Sequence, residues 1–176
     1  NAVAVSKGPG SYTGLRIGVS VAKGLCFSLN IPLLAIGTID VMGRYASENQ
    51  ELYLGTRDEE ILFCPMIDAR RMEVYTAVFN AAGEQLRSVT AKIIDNTSFS
   101  SLLAQHRIMF FGNGAHKCRQ ALTHPNALFI GPLNASARFM IKYAEEKYKN
   151  NDWEDVAYFE PFYLKDFIAT VPVKRI

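Results

Sequence analysis

A short apolar run, Ala2–Val3–Ala4–Val5–Ser6, opens onto the glycine-rich turn Lys7–Gly8–Pro9–Gly10, and a long periodic segment follows at once. Nothing else in the sequence constrains the fold as much. Glycines between a strand and a helix let the backbone turn tightly and aim free N–H groups outward. Ser11 stands where a helix N-cap is needed, and the helical pattern runs to about Leu29. Leu15, Gly18, Val19, Ala22, Leu25, Cys26 and Leu29 fall on one stripe at three- and four-residue steps, with Arg16, Ser20, Lys23 and Asn30 towards the other side. Pro32 disfavours helical geometry in the residue before it, so the helix ends near Asn30–Ile31. Leu33 to Ile36 supplies the next strand, which makes a right-handed crossover and a parallel pair the expected arrangement.

The turn is not a nucleotide cradle by pattern. Its lysine precedes the glycines, unlike GxxxxGK[ST], and its spacing is one residue too long for GxGxxG. A tight turn with an N-cap is the favoured reading. The following helix repeats Gly14, Gly18 and Ala22 every four residues, with Cys26 continuing the row. A helical glycine costs about 1 kcal/mol relative to alanine, so two in one helix call for a close neighbour to offset the loss. The row alone leaves open whether that neighbour is internal or a second protein.

Further along, a short helix is expected from Asp40 to about Ala46, and the polar stretch 47–60 is the candidate lobe boundary. Ile61–Met66, Glu73–Phe79 and Val89–Ile94 read as a β-meander with turns at Asp68–Arg71 and Asn80–Gly83. Then come a helix at Ser98–Gln105, a strand at Ile108–Phe111, a helix at 115–122, a strand at Leu128–Ile130 and a last long helix from Ala135 to Lys149. This order predicts an α/β fold with a mixed sheet in the second lobe. Three charges in Asp68–Ala69–Arg70–Arg71, at a strand end, either orient an anionic ligand or form a turn-stabilising network, and the network is preferred. Glu160 to Asp166 is expected to be an extended aromatic segment clamped on the surface.

Composition narrows the function. With 176 residues and 49% hydrophobic content the chain can bury a real core. A net charge of +2 does not support a protein that grips nucleic acid unaided. There is no apolar run of membrane-spanning length, and Cys26, Cys64 and Cys118 are too scattered for a zinc site, so they read as reduced thiols of a cytoplasmic protein. His106, His116 and His124 lie ten and eight residues apart, which excludes the i, i+4 pairing that places two imidazoles on one helical face. No GxSxG elbow or Cys/His dyad accompanies them. Asn1 falls at the edge of a strand, so the chain is expected to be a fragment.

Ser6 to Val19, continuing through Ala22–Lys23–Gly24–Leu25, resembles the signature of the TsaB (YeaZ) family. Asp68 to Tyr75 and Glu160 to Leu164 resemble two further blocks of that family in the same order. The resemblance implies an actin-like fold of the sugar-kinase and heat-shock ATPase kind, with ribonuclease H-like lobes and mixed sheets. Residues 1–57 would be the remainder of a first lobe incomplete at its N-terminus, and 58–176 the second. It implies a cytoplasmic, non-catalytic partner of a TsaD-like protein in making N6-threonylcarbamoyladenosine beside the anticodon of tRNA. A TsaE-like ATPase would join the pair, tRNA would be met indirectly through the complex, and a homodimer would form without the partner. Neither catalytic residue, metal nor cofactor is assigned to this chain; nucleotide and metal are expected in the TsaD-like partner. Carried over by position, the partner interface comprises Ser11, Tyr12, Gly14, Arg16, Gly18, Ala22 and Lys23, with the small residues allowing close approach and Arg16 and Lys23 acting at the edge. A stand-alone glycoprotease-like metallopeptidase or actin-like ATPase is the alternative, and a generic chaperone-like binding module of the same fold a third.

Overall fold

A computed structural model describes residues 1–131 and 133–165. Strand β1 (Val3–Gly8) feeds helix α1 (Tyr12–Leu29), which returns to β2 (Leu33–Gly37). The two strands pair in parallel from Val3↔Leu33 to Gly8↔Gly37, as the short crossover requires. α1 stops at Asn30, whose left-handed backbone (φ 52°) lets its N–H reach the Cys26 carbonyl. All of β2 is buried, while β1 is only partly covered.

Helix α2 (Thr38–Glu48) leaves β2 without a loop and runs two residues beyond the expected span at each end. The polar stretch 47–60 is not a plain linker. It holds a further turn of helix, α3 (Gln50–Leu54), because buried Gln50 turns its side chain inward and its Oε1 accepts the Asp58 N–H at 2.8 Å.

Strands β3 (Leu62–Asp68), β4 (Glu73–Phe79) and β5 (Gln85–Ile93) form the antiparallel meander, and β6 (Ile108–Phe111) and β7 (Ala127–Phe129) add in parallel on the other side of β3. The order β5-β4-β3-β6-β7 is a mixed sheet. Both faces are covered. α2 packs Ile39, Met42 and Ala46 against Phe63 and Phe79 on one side; on the other, α4 (Ser100–Leu103) and α5 (Ala115–Cys118) bring Leu103 and Cys118 against Leu62, Cys64 and Phe110. α4 and α5 are single turns, shorter than their apolar patterns suggested. The expected long helix is likewise divided: a 3-10 turn at Ala137–Met140 precedes α6 (Ile141–Lys149).

The largest core crosses the expected boundary at 57/58, since Ile36, Ile39 and Met42 share it with Ile61, Phe63 and Phe111. The chain then crosses back: Glu154 N–H donates to the Leu33 carbonyl, extending the small sheet by one antiparallel bridge. The described part ends at Lys165. Asp166, the last residue of the aromatic segment, and the rest of the expected second lobe lie outside the described residues. No helix among the described residues is long and apolar enough to cross a membrane.

Candidate partner-binding site

α1 begins where Ser11 Oγ accepts the Gly14 N–H at 3.4 Å. Only Val19, Ala22 and Cys26 of its eighteen residues are buried. Ala22 and Cys26 pack with Leu33, Val5 and Val156 in a small core of their own. The rest of the helix is unusually apolar for a solvated surface: Ile17, Val21, Leu25, Phe27 and Leu29 are exposed, Ile17 at 60% and Phe27 at 84%. Ile17, Val21 and Leu25 succeed one another at i+4 and so form one ridge. Several large apolar side chains gathered on one element mark an interaction surface, whereas scattered ones do not.

The glycines of this helix answer the question that their spacing left open. A Cβ built at Gly18 or Gly24 would meet nothing within 4 Å. Among the described residues no internal neighbour therefore requires glycine at either position. Gly8 differs: its backbone is left-handed (φ 109°), and a Cβ there would approach the Phe162 carbonyl oxygen to 2.8 Å. That glycine serves the chain's own C-terminal segment.

The seven positions named for the interface separate in space. Ser11, Gly14 and Arg16 are exposed and Gly18 is half-buried. Ala22 is not on the open side; it packs into the α1–β2 core, so the row of small residues turns inward after Gly18. Lys23 acts on its own chain, not at a free edge: its Nζ donates to the carbonyls of Ala157 and Phe159 at 3.1 and 2.9 Å. The Tyr12 ring packs on Tyr163 at 4.7 Å between centroids. The segment 154–165 is thus strapped across β1 and α1, with the Phe162 N–H donating to the Lys7 carbonyl at 2.7 Å, as the aromatic run implied. Ile17, Val21 and Phe27 are not on the stripe read from the sequence, and Leu25 and Leu29, which are, part from the buried Val19, Ala22 and Cys26. The usable signal was an apolar arc wider than one internal face needs, since Ile17 and Val21 extend it beyond the stripe of Val19, Ala22 and Cys26.

Beside α1 lies a cleft of about 480 Å³, bounded by Ser6, Ser11, Gly18, Thr38, Ile67 and Asn113 among others. Its lining is mainly apolar, with Val5, Leu15, Met42 and Ile67 beside a few hydroxyls and amides, Ser6 Oγ and Thr38 Oγ1 sharing a 2.5 Å hydrogen bond, and no charged side chain lines it. Such a lining supplies no cation to neutralise a phosphate chain. The thiols are equally unsuited to nucleophilic work. Cys64 is fully buried beside Thr76, and burial pushes its pKa up to about 12; burial also raises Cys26 and Cys118. His124 Nδ1 accepts the Asn126 N–H at 3.2 Å. Among the described residues no three His, Cys, Asp or Glu side chains are placed to hold a metal ion.

At the tip of the β3–β4 hairpin the expected network of the turn's three charges forms only in part: Asp68 is ion-paired, with a partner from outside the turn, and among the described residues Arg70 and Arg71 make no ion pair. Lys117 Nζ bonds Asp68 Oδ1 and the Glu73 carbonyl, Asn113 Oδ1 accepts the Asp68 N–H, and Lys165 pairs with the Glu73 carboxylate. The Lys117 hydrogen bond holds the Asp68 carboxyl below the ordinary carboxylate range. Arg70 and Arg71 at the turn have left-handed backbones, φ 72° and 47°. For side-chain-bearing residues this costs roughly 1–2 kcal/mol each.

Comparison with known proteins bears on the family and the fold. A family model described as TsaD, tRNA N6-adenosine threonylcarbamoyltransferase, matches residues 1–172. A Bacillus subtilis protein named tRNA threonylcarbamoyladenosine biosynthesis protein TsaB is 38% identical over 87 residues, 49% of this chain and 34% of that protein. A Haemophilus influenzae protein of the same name is 25% identical over 96% of this chain and 72% of its own length. The protein of that name from Buchnera aphidicola subsp. Acyrthosiphon pisum is 30% identical over 76% of the chain and 62% of its length. In the first of these relatives the match spans about a third of the protein. Two Pseudomonas aeruginosa structures share the fold. One, described as an uncharacterized protein with similarity to peptidase YEAZ, has a TM-score of 0.74 at 23% identity over 93% of this chain and 73% of that one. The other, YeaZ, has a TM-score of 0.64 at 20% identity over 92% and 73%.

Proposed function

This chain belongs to the TsaB (YeaZ) branch of the TsaD family, and from that premise we propose that it is an accessory subunit in N6-threonylcarbamoyladenosine biosynthesis on tRNA. In this reading the fold is an actin-like pair of lobes, and the chain lends a binding surface to a TsaD-like protein that carries out the transfer. The observation that carries the reading is the α1 ridge: Ile17, Val21 and Leu25 stand in solvent beside Gly18 and Gly24, which have open space above them.

The physical case is one of surface complementarity. Each exposed aliphatic side chain contributes about 1.5–3 kcal/mol when fully removed from water. Glycine beside such a ridge lets a second helix approach at short interaxial distance. A helix so built loses propensity in the free chain and recovers it on association. The same face supports a homodimer when the TsaD-like protein is absent. A TsaE-like ATPase joins the assembly, nucleotide and metal reside in the TsaD-like subunit, and the setting is cytoplasmic. The buried thiols and the uncharged cleft support assigning no catalytic group here.

The test is reconstitution. The full chain, added to a TsaD-like protein, a TsaE-like ATPase and the adenylate-forming enzyme, is expected to restore modification of tRNA. An Ile17→Asp/Val21→Asp variant that melts at an unchanged temperature should restore at most a tenth as much, because it places two charges in a desolvated contact. Modification that is equally strong with the variant, or turnover by the chain alone, would overturn the role.

A further inference from the structure

We infer that the β3–β4 hairpin tip contacts the phosphate backbone of RNA through Arg70 and Arg71. The inference rests on the proposed place of the chain in a tRNA-modifying assembly and adds a direct contact where that reading had only an indirect one.

Three observations carry it. First, the tip's acids are already engaged, Asp68 by Lys117 and Glu73 by Lys165. Arg70 and Arg71 are exposed, and neither has an anionic partner among the described residues, so two positive charges at the tip are uncompensated. Second, both arginines occupy left-handed backbone positions in a tight turn, which Asn-Gly or Gly-Gly would fill with less strain. Side-chain chemistry, and not turn geometry, explains arginine there. Third, the tip is rigidly held. Arg70 N–H bonds Asp68 Oδ1 at 2.8 Å, Glu73 N–H bonds the Arg70 carbonyl at 3.0 Å, and Ile94 N–H bonds the Met72 carbonyl at 2.8 Å. A fixed turn removes the backbone's share of the ordering cost, and each guanidinium presents the planar donor fork that suits phosphate oxygens. The strap that packs Tyr163 on Tyr12 reaches the tip through Lys165, which pairs with Glu73.

A net charge of +2 on the whole chain is too small for binding RNA alone at physiological salt, so the contact adds to others in the complex. The test uses an Arg70→Asn/Arg71→Gly variant of the full chain, complexed with a TsaD-like protein and titrated with fluorescently labelled unfractionated tRNA across a potassium chloride series. The variant is expected to bind roughly tenfold more weakly, with a salt slope shallower by about 2, one per lost phosphate contact. Its melting temperature should stay level or rise, because the new residues suit the turn. Unchanged affinity and slope would overturn the inference. So would weaker binding with an unchanged slope, or loss of the TsaD-like partner with RNA affinity intact, which would mark a protein contact. Capture of the partner by the wild-type chain reports separately on the proposed role. Should that capture fail, the role falls, and the same titration of the chain by itself at low salt still decides the tip.

Discussion

Helices α1 and α2 both carry glycine on a face rich in apolar residues, yet they use it in opposite ways. On α2, Gly43 is wedged against the Phe79 ring, where an added Cβ would come within 2.3 Å of ring carbons. Ile39, Val41, Met42 and Ala46 of the same helix are buried with it. On α1, Gly18 and Gly24 face open space, and the ridge beside them is exposed. Small residues in α2 answer to the chain's own sheet; those on the outer side of α1 have no such tenant. A glycine spacing thus says that something comes close, and only the fold says whether that something is internal.

The contrast can be broken by substitution. Phe79→Ala should cost about 3–5 kcal/mol, because it empties a site shared by α2 and the large sheet, and denaturant melts would show it. Gly43→Leu should cost about 1–3 kcal/mol through overpacking, despite leucine's better helix propensity. A neutral result there would mean that α2 sits on the sheet more loosely than its contacts indicate.

How much of this contrast is legible in sequence depends on the kind of signal. β4 spans Glu73–Phe79 and β6 Ile108–Phe111 as their β-branched and aromatic runs imply, and Ser11 caps α1 where its hydroxyl is needed. β5 starts at Gln85, four residues earlier than its apolar run, because the Asn80–Gly83 hairpin sets the register and an exposed strand needs no apolar alternation there. α3 stayed hidden because a glutamine at the start of a polar stretch carries no hint that it will be buried. The outer face of α1 was obscured for the opposite reason. When the apolar arc is wider than the sheet can cover, periodicity does not select which part of it the sheet takes. Ala22 and Gly18 look equivalent by spacing, but the first packs on Leu33 and the second does not.

Two smaller effects sharpen the picture around α1. Lys23→Met should cost about 1 kcal/mol, from the lost bonds to the Ala157 and Phe159 carbonyls, and should speed proteolysis of the segment 154–165. Partner capture should persist, since the ridge itself is untouched. The least effect concerns acid. The Asp68 pKa is lowered in the folded chain, so its contact with Lys117 stabilises the fold above the unfolded carboxylate value and is lost as pH falls through the lowered one. Asp68→Asn should therefore flatten the decline of melting temperature on acidification, its small cost being largest near neutrality and vanishing once pH falls below the lowered value.

The most direct test is Gly18→Leu, measured for melting temperature and for affinity to a TsaD-like protein on the same preparation. With open space above Gly18, the substitution should leave stability level or raise it by up to about 1 kcal/mol, while affinity falls at least tenfold. A protein that melts early, or one that binds its partner as tightly as before, would contradict the account.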